Sequence, residues 1–208
     1  MPVPALPALS VSKGLPRRVD VLVLGLAESG LRGLPDAVGQ AYRQRFGTGV
    51  AEMARSLGAQ TKLDSRRTLP SAGDGPRLMV VGLGDGEPDI EGLRRVAGSA
   101  VRHAATLAED GQSVAVSVDL GTTTVEELEA VSEGALLGSY RYAPVSSAPA
   151  TAPAAVDSIT VLHPGSTRSA SGAEVTAVAS TVAAAVLTAR EWVNTHPTCS
   201  TPSPSPTR

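Results

Sequence analysis

The sequence is poor in aromatic rings, cysteine, lysine and long apolar runs. Five aromatic side chains occur in 208 residues: Tyr42, Phe46, Tyr140, Tyr142 and Trp192. That is too few for a base-stacking or carbohydrate-stacking surface, so the core has to be built from Val, Leu and Ala. The single Cys199 excludes an internal disulfide and any cysteine-rich metal site. A formal net charge of −2 lacks the basic excess of a general nucleic-acid or membrane-surface binder. The longest uninterrupted apolar stretches, Leu78 to Val81 and Val182 to Leu187, fall well below the roughly 20 residues that cross a bilayer. At the N-terminus no basic region precedes the apolar residues, and Pro2, Pro4 and Pro7 break any helical signal segment. Residues 1–18 therefore read as an extended lead-in, with a cytoplasmic location as the default expectation.

What is present is the material of a globular domain. Hydrophobic residues make up 42% and charged residues 18%, and about 200 residues can bury a real core. Val19 to Gly25 and Arg77 to Gly84 read as buried strands that close on glycine. Ser113 to Leu120 and Ser158 to Leu162 read as two more. Ala27 to Gln40, punctuated by Gly and Pro, reads as a loop with a helical turn, and Thr61 to Leu69 as a mixed segment holding an edge strand.

Helical periodicity lies between these strands. Val50, Met53, Ala54 and Leu57 follow i, i+3, i+4, i+7 spacing after Thr48. Asp89 opens a helix whose apolar positions, from Leu93 through Val96, Ala97, Ala100, Val101 and Ala104, keep a 3.6-residue period. Thr124-Val125-Glu126-Glu127 has the form of a capping box. Glu174 to Val193 is a long Ala/Val helix, and Ala143 to Val156 is an Ala/Pro/Ser linker. Strands alternating with helices at this spacing predict a three-layer α/β domain over residues 19–194, with a largely parallel, mixed sheet. Of the 14 residues from Thr195 onward, 11 are Ser, Thr or Pro, which predicts a disordered tail over 195–208.

Chemistry-bearing candidates are few. Gly82-Leu83-Gly84-Asp85-Gly86-Glu87 sits between a strand and a helix, the setting for a phosphate-binding loop. However, the dinucleotide fingerprint requires a small residue where Glu87 stands, and Asp85 and Glu87 repel a pyrophosphate. Gly25 to Gly30 lacks the second glycine, and no Gly-Lys-Ser/Thr follows either loop. His103, His163 and His196 have no ligand partner at metal-binding spacing, and Cys199 has no neighbouring base. The basic pairs Arg17-Arg18, Arg66-Arg67 and Arg94-Arg95 are scattered and read as solvated surface. No catalytic, cofactor-binding or metal-binding set is predicted within this chain.

Three segments carry a family resemblance. Leu78-Met79-Val80-Val81-Gly82-Leu83-Gly84 leading to Leu93-Arg94-Arg95-Val96-Ala97-Gly98 is the first. Glu133-Gly134-Ala135-Leu136-Leu137-Gly138-Ser139-Tyr140-Arg141-Tyr142 is the second, and Ala189-Arg190-Glu191-Trp192-Val193-Asn194-Thr195 the third. In this order they resemble the N-terminal domain of the leucyl (cytosol) aminopeptidases, the M17 peptidase family. The resemblance implies a macro-domain-like N-terminal domain of a two-domain, hexameric metallo-exopeptidase. In that family the catalytic domain carries two divalent metals, manganese or zinc, which activate a water that releases N-terminal residues from peptides.

The metal-binding motifs of that domain do not occur in this chain, so the expectation is a fragment without aminopeptidase activity that does not form the hexamer by itself. Its partner is then the missing catalytic domain, with no membrane and no nucleic acid. Restoring one cytosine before the codon for His196 lets the tail read Pro-Pro-Asp-Val-Leu-Tyr-Pro-Glu-Ser-Phe-Ala-Asp, like the family's continuation. Residues from about Thr195 are accordingly expected to be out of frame. The alternative expectation is a stand-alone macro-like module that binds a nucleotide or DNA, against which the acidic Gly84–Glu87 loop and the dispersed arginines both stand. A nicotinamide-dependent oxidoreductase fails on the fingerprint.

Overall fold

The computed structural model describes residues 6–108, 112–141, 156–164 and 171–194. A seven-stranded sheet forms its middle layer, built from β1 (Ala8–Ser12), β2 (Val21–Ala27), β3 (Gly30–Arg32), β4 (Arg66–Leu69), β5 (Arg77–Gly82), β6 (Val114–Asp119) and β7 (Val156–Leu162). The order is β1-β7-β6-β2-β5-β4, with β3 pairing β2 as a hairpin. The five strands β1, β7, β6, β2 and β5 run parallel, and β3 and β4 run antiparallel to their neighbours. The protein is thus a three-layer α/β domain with a largely parallel, mixed sheet.

Both faces of the sheet are buried, which is why β2 and β5 read as continuous apolar runs rather than alternating ones. On one face Val21, Val23, Met79, Val81, Val116, Val118 and Ile159 pack against α3 (Ile90–Ala104), α4 (Val125–Gly138) and α5 (Ser171–Asn194). On the other, Leu22, Leu24, Leu78 and Val80 pack against Tyr42 of α1 (Asp36–Phe46) and Val50 and Ala54 of α2 (Val50–Ser56).

The helix starts follow the capping chemistry of the sequence. Asp89 Oδ1 accepts the Gly92 N–H at 2.6 Å and opens α3. The capping box at Thr124 is complete: Thr124 Oγ1 accepts the Glu127 N–H, and the Glu127 carboxylate accepts the Thr124 N–H. The structure differs from the sequence pattern in three places. Residues 1–18 are extended where described, but Ala8–Ser12 also joins the sheet as the edge strand beside β7. Within Ala27 to Gln40, whose pattern predicts a loop with a helical turn, Gly30–Arg32 is a strand and Asp36 begins an 11-residue helix. That helix buries only Gly39 and Tyr42, so its apolar period is faint.

The third difference is α5. Residues Gly172–Asn194 are long and apolar enough, at a mean hydropathy of 1.5, to meet the length and composition of a membrane span. Uninterrupted runs underestimate this helix because Thr and Ser alternate with its Ala and Val. In the structure Val175, Ala179 and Ala183 join the core against the sheet, and Leu187 is buried too. Most of the predicted Ala143–Val156 linker and all of the 195–208 tail, with His196 and Cys199, lie outside the described residues, whereas Val156 begins β7.

Candidate functional site

Among the described residues, two of the places that gather polar side chains from separate elements form a crevice and a groove. The first is a crevice at the carboxyl ends of the parallel strands β6 and β7, bordered by the turn that follows β3. Ligands of open α/β sheets bind in such a place. The crevice has a volume of about 320 Å³, and Lys13, Gly33, Asp119, Thr122 and His163 are among its lining residues.

Asp119 ends β6 with its carboxyl group largely buried. Burial pushes this group up to about 6, and the Gly121 N–H, which donates to Oδ1 at 3.2 Å, offsets only part of the shift. Gly33 lies directly over it. A Cβ at Gly33 would stand 2.3 Å from Asp119 Oδ1, and the φ of +76° there also favours glycine. The β2–β3 hairpin thus fills part of the crevice. His163 sits at the rim with Nδ1 3.0 Å from the Thr122 hydroxyl.

The Gly82–Glu87 loop lies nearby. Glu87 pairs with Arg32 at 2.8 Å, and the N-terminus of α3 is already capped by Asp89. His103, by contrast, is at the far end of α3, where burial and the nearby Arg66 lower its pKa. Among the described residues no group of three or more His, Cys, Asp or Glu side chains is placed to hold a metal ion.

The second place is a groove across the outer face of α3, with a volume of about 530 Å³. It exists because α3 and α4 meet through glycines. A Cβ on Gly134 would stand 2.1 Å from the Arg94 carbonyl oxygen, and one on Gly138 would stand 2.1 Å from that of Gly98. Arg94 crosses the contact to Glu133, 3.0 Å from Nε, and also pairs with Glu91. On the other side of α3, Arg66 donates to the Ser99 hydroxyl at 2.5 Å, and Ser99 donates in turn to Asp64. Arg95, Arg102 and Arg190 complete the lining. Arg66, Arg94 and Arg95, which look scattered along the chain, come together here, whereas Arg17, Arg18 and Arg67 do not.

Residues 23–149 match the family model described as the cytosol aminopeptidase family, N-terminal domain. The chain belongs to the cytosol aminopeptidase family. It is 36% identical over 200 residues to the probable cytosol aminopeptidase of Cutibacterium acnes and 33% identical over 200 residues to that of Rhodococcus opacus. These alignments cover 93% and 92% of this chain but 37% of each relative, so the chain spans little more than a third of their length. The fold is also that of two solved structures. A tomato leucine aminopeptidase mutant superposes with a TM-score of 0.68 at 17% identity, over 94% of this chain and 40% of that one. The bottromycin maturation enzyme BotP, in complex with Mn, superposes with a TM-score of 0.58 at 24% identity, over 86% and 32%.

All three segments that carry the aminopeptidase resemblance converge on the α3 groove. Arg94, Arg95 and Gly98 come from the first, Gly134, Leu137 and Gly138 from the second, and Arg190 from the third. Spacing along the chain does not show this convergence. The one local signal is the pair of glycines four residues apart, Gly134 and Gly138, which marks a close helix–helix contact.

Proposed function

We propose that this chain serves as the non-catalytic N-terminal domain of a metal-dependent leucyl aminopeptidase, docking onto a catalytic domain that carries the hydrolytic chemistry. The observation that carries the proposal is the outer face of α5. Val178 is 43% exposed, Val182 38%, Trp192 65% and Val193 85%, and Ala185 and Ala189 continue the same stripe. A contiguous apolar face on a 24-residue helix favours a protein partner. The identified family supplies one in the remaining part of the longer relatives.

Two divalent ions, manganese or zinc, would polarise the scissile peptide and activate water in that partner domain. The donor set described here does not fit such a pair, so no step of the hydrolysis is assigned to these residues. Their role is to hold α5 rigid against the sheet, with its apolar stripe outward. We place the protein in the cytoplasm, in keeping with relatives named as cytosol aminopeptidases.

The test has two parts. The purified 208-residue chain is incubated with a leucyl peptide and Mn²⁺, and no leucine release is expected; manganese-dependent release overturns the non-catalytic assignment. The chain is then co-expressed with the portion of the Cutibacterium acnes relative that it does not match. Co-purification that Val182→Asp or Trp192→Asp weakens at least tenfold is expected, and an interaction insensitive to both variants overturns the docking face. Alone, the chain is expected to scatter light as a species smaller than a hexamer.

A further inference from the structure

We propose that the groove across α3, floored by Gly98 and Ser99 and edged by Arg66, Arg95, Arg102 and Arg190, binds a linear oligophosphate chain. The inference rests on charge and shape that the proposed aminopeptidase role leaves unused. Among the described residues five arginines and two carboxylates line the groove, and both carboxylates are engaged: Glu91 with Arg94, and Asp64 with Ser99 and Arg66. Arg95 and Arg102 are exposed, and no described carboxylate pairs with either side chain. Arg190 lies 5.8 Å above the Tyr140 ring, a contact that orients the guanidinium at the edge of the groove. By comparison, Arg18 and Arg32 elsewhere in the chain each pair with a carboxylate within 3 Å.

The geometry selects the class of anion. Arg95 and Arg102 are seven residues apart on α3, about 10.5 Å along the axis, and the small residues between them open the groove. A single phosphate reaches one bank, whereas a chain of phosphates spans both. Guanidinium forks match phosphate oxygens in a bidentate manner, and Arg66, held on the Ser99 hydroxyl, is already oriented. Among the described residues no aromatic ring lines the groove, so none of them stacks on a base. The phosphate chain itself is the recognised group, whether free or carried by a nucleotide.

The full chain is titrated calorimetrically with inorganic tripolyphosphate, orthophosphate, ATP and a duplex oligonucleotide. Tripolyphosphate is expected to bind with one-to-one stoichiometry, at least tenfold tighter than orthophosphate and within threefold of ATP. The double variant Arg95→Ala/Arg102→Ala is expected to lose at least tenfold in affinity. The control Arg43→Ala/Arg45→Ala, on α1 across the sheet, is expected to lose less than twofold. Circular dichroism melts of all variants verify that the helices remain folded. Equal losses in both double variants, a hundredfold preference for ATP, or binding of the duplex without binding of tripolyphosphate each overturns the proposal.

Discussion

Asn194 donates from Nδ2 to the hydroxyl of Tyr140 at 3.0 Å, and the Arg190 guanidinium stands over the same ring. This contact ties the last turn of α5 to the end of α4, across 54 residues of chain. It joins two of the segments that carry the family resemblance. Trp192 and Val193, in the same turn, remain exposed.

Removing either partner should loosen that turn without unfolding the domain. Asn194→Ala or Tyr140→Phe is expected to raise amide exchange in the last turn of α5, with a local cost of about 0.5–1.5 kcal/mol. Exchange in β2 and β5 is expected to stay unchanged. Hydrogen–deuterium exchange resolved to the peptide over α5 measures both.

The α3–α4 contact should tolerate no side chain at its glycines. The clash of a Gly138 or Gly134 Cβ is with backbone oxygen, which cannot rotate away as a flexible side chain would. Gly138→Ala is therefore expected to destabilise by about 1–3 kcal/mol or more, despite the gain in helix propensity. Gly47→Ala, where nothing lies within 4 Å of the added carbon and only the φ of +69° opposes it, is expected to cost about 1 kcal/mol. Urea denaturation of the two variants ranks them.

Asp119 should make stability depend on pH in a narrow window. Its carboxyl group in the folded protein titrates at about 6, above its ordinary 3.8. Between these values the folded state keeps a proton that the unfolded state has released, so the contribution of Asp119 to stability is greatest below about 4 and falls as pH rises to about 6. Above that the deficit is constant, on the order of 3 kcal/mol. Asp119→Asn is expected to be more stable than wild type at pH 7 and equal to it near pH 3.5. Denaturation midpoints for both proteins across that range provide the comparison, and a difference independent of pH contradicts the assignment.

Tyr42 should be more stable without its hydroxyl. The side chain is fully buried on the inner side of α1, its ring 4.6 Å from that of Phe46, and its hydroxyl has no hydrogen-bond partner among the described residues. Burial also raises its pKa. An unpaired buried hydroxyl costs about 1–3 kcal/mol, so Tyr42→Phe is expected to raise the thermal midpoint, while Tyr42→Ala lowers it by opening a cavity. Calorimetric melts of both variants show the sign.

The parts of this fold that were legible in the sequence carry their signal locally. The continuous apolar runs of β2 and β5, the 3.6-residue period of α3 and the Thr124–Glu127 capping box all state their structure within one or two turns of chain. Helix α1 was not legible because only one face position with a large side chain, Tyr42, is buried, and Gly39 and the arginines blur the period. Strand β1 was hidden because its identity depends on β7, whose partnering residues lie 150 positions away.

The sequence by itself determined an α/β domain, its main strands and capped helices, and the family to which the chain belongs. Tertiary structure alone decided that Gly33 covers Asp119, that the arginines of α3 share a groove with Arg66 and Arg190, and that Val178, Val182 and Trp192 face outward together. Local periodicity depends on backbone geometry and is written in neighbouring residues. Burial and the proximity of charges depend on which distant segments pack together, and no stretch of chain contains that information by itself.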